Sequence, residues 1–116
     1  MLRFSHTAVG IQHGTELMFS AFEDGGPMWT GTGPREVRHV IAFAVPFRDQ
    51  PVVHVGLAMW DIDGETNQRV EIRAEDVGAE GFTVVFVTWG DTRVARVRVS
   101  WLALGPADHP DDFEPD

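Results

Sequence analysis

Hydrophobic and polar positions alternate along most of this chain with a period of two, and no window carries a convincing period of 3.6. Six runs rich in Val, Ile, Phe, Thr and Trp are separated by clusters of Gly, Pro and Asp, which predicts six strands: Thr7–Phe19, Glu36–Phe43, Val52–Asp61, Arg69–Asp76, Gly81–Thr88 and Thr92–Leu104. The first is expected to be interrupted near His13-Gly14. Gly78, Ala79 and Glu80 turn the fourth strand into the fifth. The short gaps suit antiparallel connections, not helical crossovers. The fold class is therefore all-β, a six-stranded antiparallel sandwich.

Alternation also sorts the faces. In the fourth strand Val70, Ile72 and Ala74 oppose Arg69, Glu71, Arg73 and Glu75; in the sixth Val97, Val99, Trp101 and Ala103 oppose Arg96, Arg98 and Ser100. Two or three strands offer nothing polar on either side. In the fifth, Phe82, Val84 and Phe86 oppose Val85, Val87 and Trp89. In the second, Val37, Ile41 and Phe43 oppose Val40 and Ala42, and in the third Val53, Val55, Leu57 and Met59 oppose Val52, Ala58 and Trp60. A sandwich wets its outer faces, so these strands call for a cover. Sister copies would supply one; loops or the N-terminal segment are the other candidates.

Composition narrows the function classes. The chain has 116 residues, room for one domain, and 43% of them are hydrophobic. It has no cysteine and no lysine, which excludes thiolate metal sites, cysteine nucleophiles and Schiff-base lysines. No apolar run has the length of a membrane span, and the first six residues lack the apolar stretch of a secretory signal. The expected location is the cytoplasm by default, or release or particle association by another route. Net charge is −9, and the segment 106–116 holds five of the 18 acids together with three prolines. Residues 1–105 are read as the domain and 106–116 as a solvated acidic tail. An acidic surface repels phosphate backbones, so no nucleic-acid partner is expected.

The usual catalytic constellations are missing. His6, His13, His39, His54 and His109 are scattered, with no H-x-H or HExxH spacing, and no GxSxG or phosphate-binding loop is present. His39 and His54 are read as hydrogen-bonded sheet residues. Asp61, Asp63, Gly64, Glu65 and Asn67 gather hard oxygens, yet they sit between strands with the glycine misplaced for an EF-hand, and are read as a turn. No cofactor or metal is called for, and a small enzyme such as a glycosidase has no mechanism here.

Two stretches stand out. Thr88, Trp89, Gly90, Asp91, Thr92 and Arg93 form a turn signal with a tryptophan at its shoulder; Trp29, Thr30, Gly31, Thr32, Gly33 and Pro34 form a Gly-rich loop with its own tryptophan. An indole beside short polar side chains and open backbone is what a sugar needs, because the C–H face of a pyranose stacks while its hydroxyls find donors and acceptors. Equally, Trp89 could be a packing residue at a strand end.

From Arg35-Glu36 through Ile41-Ala42-Phe43, Pro46-Phe47 and Pro51-Val52-Val53, then Asp61, Arg69-Val70, Val77, Gly81-Phe82, Thr88-Trp89, Thr92, Val94 and Ser100-Trp101, the chain resembles the H-type lectin domain family. The resemblance spans Gly14–Gly105. It implies a sandwich assembled as a trimer or a dimer of trimers, with glycans as partners and terminal galactose or N-acetylgalactosamine bound in clefts between protomers. By the same resemblance Arg69 is the sugar-contacting arginine and Trp89 an aromatic of the site. Gly90 stands where a relative has a contacting histidine, Ala95 where it has a tyrosine, Thr32 where the family has an aspartate, and Thr30 near a backbone contact. Asp91 or Asp24 is a candidate for the missing carboxylate. Two readings follow: a non-catalytic lectin, or an oligomeric interaction module, for instance of a phage-like particle or surface appendage, in which the sugar site is lost or altered.

Overall fold

The computed structural model describes residues 1–4 and 8–108. In chain order its elements are β1 (Val9–Ser20), α1 (Ala21–Asp24), α2 (Pro27–Thr30), β2 (Arg35–Ala42), β3 (Val52–Ile62), β4 (Val70–Glu75), β5 (Gly81–Thr88) and β6 (Val94–Pro106). Two three-stranded sheets, ordered β1-β6-β3 and β2-β5-β4, pair antiparallel throughout. All six predicted strands are present.

Three details differ from the pattern. β1 runs unbroken through His13 and Gly14; its irregularity lies at Met18, where Leu17 pairs with Arg98 and Phe19 with Val97. Two residues thus oppose one, the signature of a bulge, and the displaced Met18 is turned into the core at 3% exposure. The stretch read as a Gly-rich loop begins as helix, because Trp29 and Thr30 belong to α2. Four-residue helices are too short to write a period into the sequence; Pro27 opens α2 and Gly25, at φ +62°, closes α1. β6 extends to Pro106, whose carbonyl accepts the Arg48 amide at 2.9 Å. Residue 7 of the predicted first strand, His6, His109 and the rest of the tail from 110 lie outside the described residues.

The core lies between the sheets. Val84 and Phe86 of β5 face Val97, Val99 and Ala103 of β6, all fully buried. Phe43, Phe47, Phe82 and Trp101 close one end, with ring centroids 5.0 to 5.8 Å apart. Gly14 is required at the β1 edge because a Cβ there would stand 2.9 Å from the Trp101 indole.

The outer side of β5 finds its cover within the chain. Val85 is fully buried although it points away from the core. Its cross-strand neighbours are Arg38 on β2 and Arg73 on β4. Glu75 accepts from Arg38 Nη2 at 2.6 Å and from Arg73 Nε at 3.3 Å, so the three side chains bridge over the central strand. Arginine stems cover apolar surface while their heads stay wet. Hydrogen bonds from Arg38 and Arg73 hold the Glu75 carboxyl below its ordinary range. The roof is therefore complete at neutral pH and is lost only as pH falls through that depressed value. The outer face of β1-β6-β3 is different: Ile11, Val52 and Leu102 are exposed there; Trp60 of β3 and Val40 and Ala42 of β2 are exposed as well.

Replacing the fully buried Phe86, which meets Phe19 edge-on at 5.4 Å, leaves a cavity between the sheets. Phe86→Ala is expected to lower unfolding stability by about 3–5 kcal/mol in urea denaturation, with the all-β spectrum retained in buffer.

Candidate functional site

All three segments that carry the chain from one sheet to the other at the Arg35 end of β2 meet there: residues 21–34 from β1 to β2, 63–69 from β3 to β4, and 89–93 from β5 to β6. Their packing is fixed by a few polar side chains. Arg35, the first residue of β2, donates to five carbonyls: Nε to Gly33 at 2.9 Å, Nη1 to Pro27 and Met28 at 3.2 Å each, and Nη2 to Gly90 at 3.3 Å and Thr92 at 2.8 Å. Burial lowers its pKa, but a guanidinium keeps its proton. The carbonyls at the end of α2 thus gain a cation, as helix ends favour. Gly31 leaves room for it: a Cβ there would sit 2.5 Å from the Pro27 carbonyl and 3.1 Å from Arg35 Cδ. The Gly33 amide completes the tie by donating to Gly90 O at 2.9 Å.

The second fastening holds Arg69. Thr88 and Thr92 are both buried, at 1% and 0% exposure. The Thr88 hydroxyl donates to Arg69 O at 2.6 Å, and the Arg69 amide donates to Thr92 Oγ1 at 3.0 Å. Thr92 in turn donates to Asn67 O. A third fastening is Arg93, whose guanidinium lies 4.3 Å from the Trp29 ring centroid, donates to Trp29 O at 2.9 Å and pairs with Asp63 at 3.4 Å. Asp63 also accepts from the Glu65 amide at 3.0 Å, so this acidic stretch is the turn expected of it.

These fastenings bring the site residues together. The ladder between β4 and β5 ends at Val70↔Thr88, so Arg69 and Trp89 are the next residues beyond it on the two neighbouring strands, and Pro34 lines the same cleft as Trp89. Trp89 is 43% exposed. Gly90 takes φ +69°, and a Cβ there would stand 3.4 Å from Arg69 Nη1. A side chain at 90 would therefore be strained by its backbone conformation and would touch the guanidinium. Thr32 is exposed and adjoins Gly33, which bonds Gly90. Thr30 spends its hydroxyl on Gly25 O and Gly26 O, at 3.2 and 3.0 Å, and so shapes the loop from within. Ala95 is buried in β6 at 5% exposure and presents no polar group. His39 does not join the cluster; it lies between the sheets with Nδ1 3.1 Å from Glu16. His54 is exposed on β3. The Asp24 side chain lies outside the described residues.

Asp91 does join it. Arg69 Nη1 donates to Asp91 Oδ1 at 2.9 Å, and Asn67 approaches the same carboxylate with Nδ2 at 3.4 Å and its amide at 3.5 Å. Partial desolvation pushes the Asp91 carboxyl up. The bonds from Asn67, its own backbone amide and the Arg69 charge outweigh that, and the pKa lies below the ordinary value. Both partners are exposed, 40% and 54%, so the pair orients groups more than it stabilises the fold. Trp89 itself lines an open cleft of about 480 Å³, whose lining includes Val87, Glu36, Glu71 and Arg73. Arg69 does not line it; its guanidinium is turned to Asp91.

Arg35 and Thr92 are the organisers that the sequence reading passed over as site residues. An arginine opening a strand after Gly-Pro was visible, but its acceptors lie as far as 57 residues away.

The profile of the H-type lectin domain family matches residues 38–104. The chain is 52% identical over 114 residues to a Fuscovulum blasticum protein named ATP synthase subunits region ORF 7, covering 98% of each. It is 30% identical over 76 residues to Discoidin-2 of Dictyostelium discoideum, which is 65% of this chain and 30% of that one. A solved structure of discoidin II from the same organism superimposes with a TM-score of 0.76 at 23% identity, over 93% of this chain and 41% of that chain. The chain thus spans less than half of the discoidins it matches, and the structural likeness is one of fold.

Thr92→Val keeps the shape but strands the Arg69 amide. It is expected to cost about 1–3 kcal/mol of stability and to sharpen amide exchange at Arg69, read by hydrogen-exchange NMR.

Proposed function

The chain belongs to the H-type lectin domain family, and on that premise we propose that it is a non-catalytic lectin for terminal galactose or N-acetylgalactosamine-type sugars. One grouping carries the reading: an exposed indole, Trp89, and a backbone-clamped arginine, Arg69, at the adjoining ends of two paired strands, on the rim where three loops meet. In this reading Trp89 stacks on the C–H face of the sugar, and Arg69 donates to ring or acetamido oxygens through the guanidinium edges that Asp91 leaves open. Thr32 offers a hydroxyl from the facing loop. Thr30 holds that loop's shape, and Gly90 keeps the turn clear for Arg69. Ala95 contributes only packing.

A shallow rim of this kind binds weakly, and several rims acting together raise the effect through avidity. We propose assembly as a trimer or two stacked trimers, supported by the exposed Ile11, Val52 and Leu102 on the outer face of β1-β6-β3. The rival reading, an interaction module without a sugar site, draws on the same inventory: Gly90 lacks a side chain, Ala95 is buried, and Arg69 already has a carboxylate partner.

A glycan array separates the two. The lectin reading expects binding to galactose-type termini that falls at least roughly tenfold in Arg69→Ala, while circular dichroism and light scattering stay unchanged. No binding above background at high protein density hands the function to the rival. Light scattering of the wild type is expected to give three copies or a multiple; a monomer at micromolar concentration removes the multivalent part.

A further inference from the structure

The pairing of Arg69 sets a limit on the charge of its ligand. An exposed guanidinium beside an indole is ordinarily an anion receptor, because its planar fork matches a carboxylate. Here one arm of that fork is engaged. Arg69 Nη1 donates to Asp91 at 2.9 Å, and Asn67 holds the same carboxylate from behind. The neighbouring cations are committed too: Arg73 to Glu71 and Glu75, Arg38 to Glu75 and Glu36, and Arg35 to its five carbonyls. Among the described residues around Trp89, every arginine has a partner. An incoming carboxylate would meet Asp91 at the Arg69 guanidinium, and Glu36 and Glu71 in the cleft that Trp89 lines.

We propose that Asp91 is the specificity-determining residue of this site: it turns away sugars that carry a carboxylate and itself accepts hydrogen bonds from the hydroxyls of uncharged ones. Its side chain is 54% exposed, so lone pairs remain for a ligand. It thereby takes over, from the 89–93 turn, the acceptor role that the uncharged Thr32 of the facing loop fills only in part. The inference rests on the lectin reading above.

The test compares galactose with galacturonic acid, which differ at C6 by a carboxylate, using titration by saturation-transfer NMR. Wild type is expected to favour galactose by at least roughly tenfold. Asp91→Asn, a surface change, frees Arg69; the preference should narrow or reverse by about tenfold, and the gained galacturonate affinity should fall with added salt. Adding Arg69→Ala to Asp91→Asn should abolish that gain, which a merely structural role for Asp91 would not produce. Wild type that takes both sugars equally, or Asp91→Asn with an unchanged preference, overturns the charge gate and leaves the lectin reading standing. Failure of both sugars on all three proteins overturns both.

Discussion

One arginine that pairs with no carboxylate among the described residues holds the working end of this sandwich together. Arg35 distributes its donors over five carbonyls, from Pro27 and Met28 at the end of α2 to Gly90 and Thr92 in the turn between the sheets. A carboxylate would satisfy the charge with one partner and leave the carbonyls of both loops to water. Spread over backbone, the same charge joins two chain segments that share no strand. Its reach depends on Gly31, where any side chain would collide with the Pro27 carbonyl. Once the loops are joined, Thr88 and Thr92 clamp the backbone of Arg69 beside Trp89, and the site geometry follows from the scaffold.

Charge does a second job on the outside of β2-β5-β4. Rows across the sheet alternate in kind: Glu36 and Glu71 flank Val87, then Arg38 and Arg73 flank Val85. Each arginine finds carboxylates from the next row, and Glu75 spans the central strand between them. A valine that reads as needing a partner protein is thereby sealed by its own sheet. The opposite outer face has no such lattice at Ile11, Val52 and Leu102, which is why it is the more natural seat for contacts between copies.

Much of this was legible in the residues. Period-two alternation located every strand to within about two residues at each end, because both sheets keep one dry face. The Thr88–Arg93 motif and Trp89 marked the right end of the molecule. Arg35 was not legible as a hub, since its acceptors are backbone atoms of distant segments and carry no side-chain signature. The shelter over Val85 depends on register, which sets Arg38 and Arg73 beside it and which alternation alone leaves undetermined. The bulge at Met18 and the two four-residue helices are likewise local departures too short to leave a period. Asp91 was visible as a candidate carboxylate, but its partnership with Arg69 required the turn to be in place.

The claim on which the site depends is that Arg35 fastens the 27–34 segment to the 89–92 turn. Hydrogen exchange at the Gly33 amide, which donates to Gly90 O, reports on it directly when wild type is compared with Arg35→Met. The account predicts that Gly33 protection falls by roughly tenfold or more while the amides of Val84 to Phe86 in the core strand keep theirs. Gly33 protection equal to wild type would contradict it, and so would a uniform loss across both.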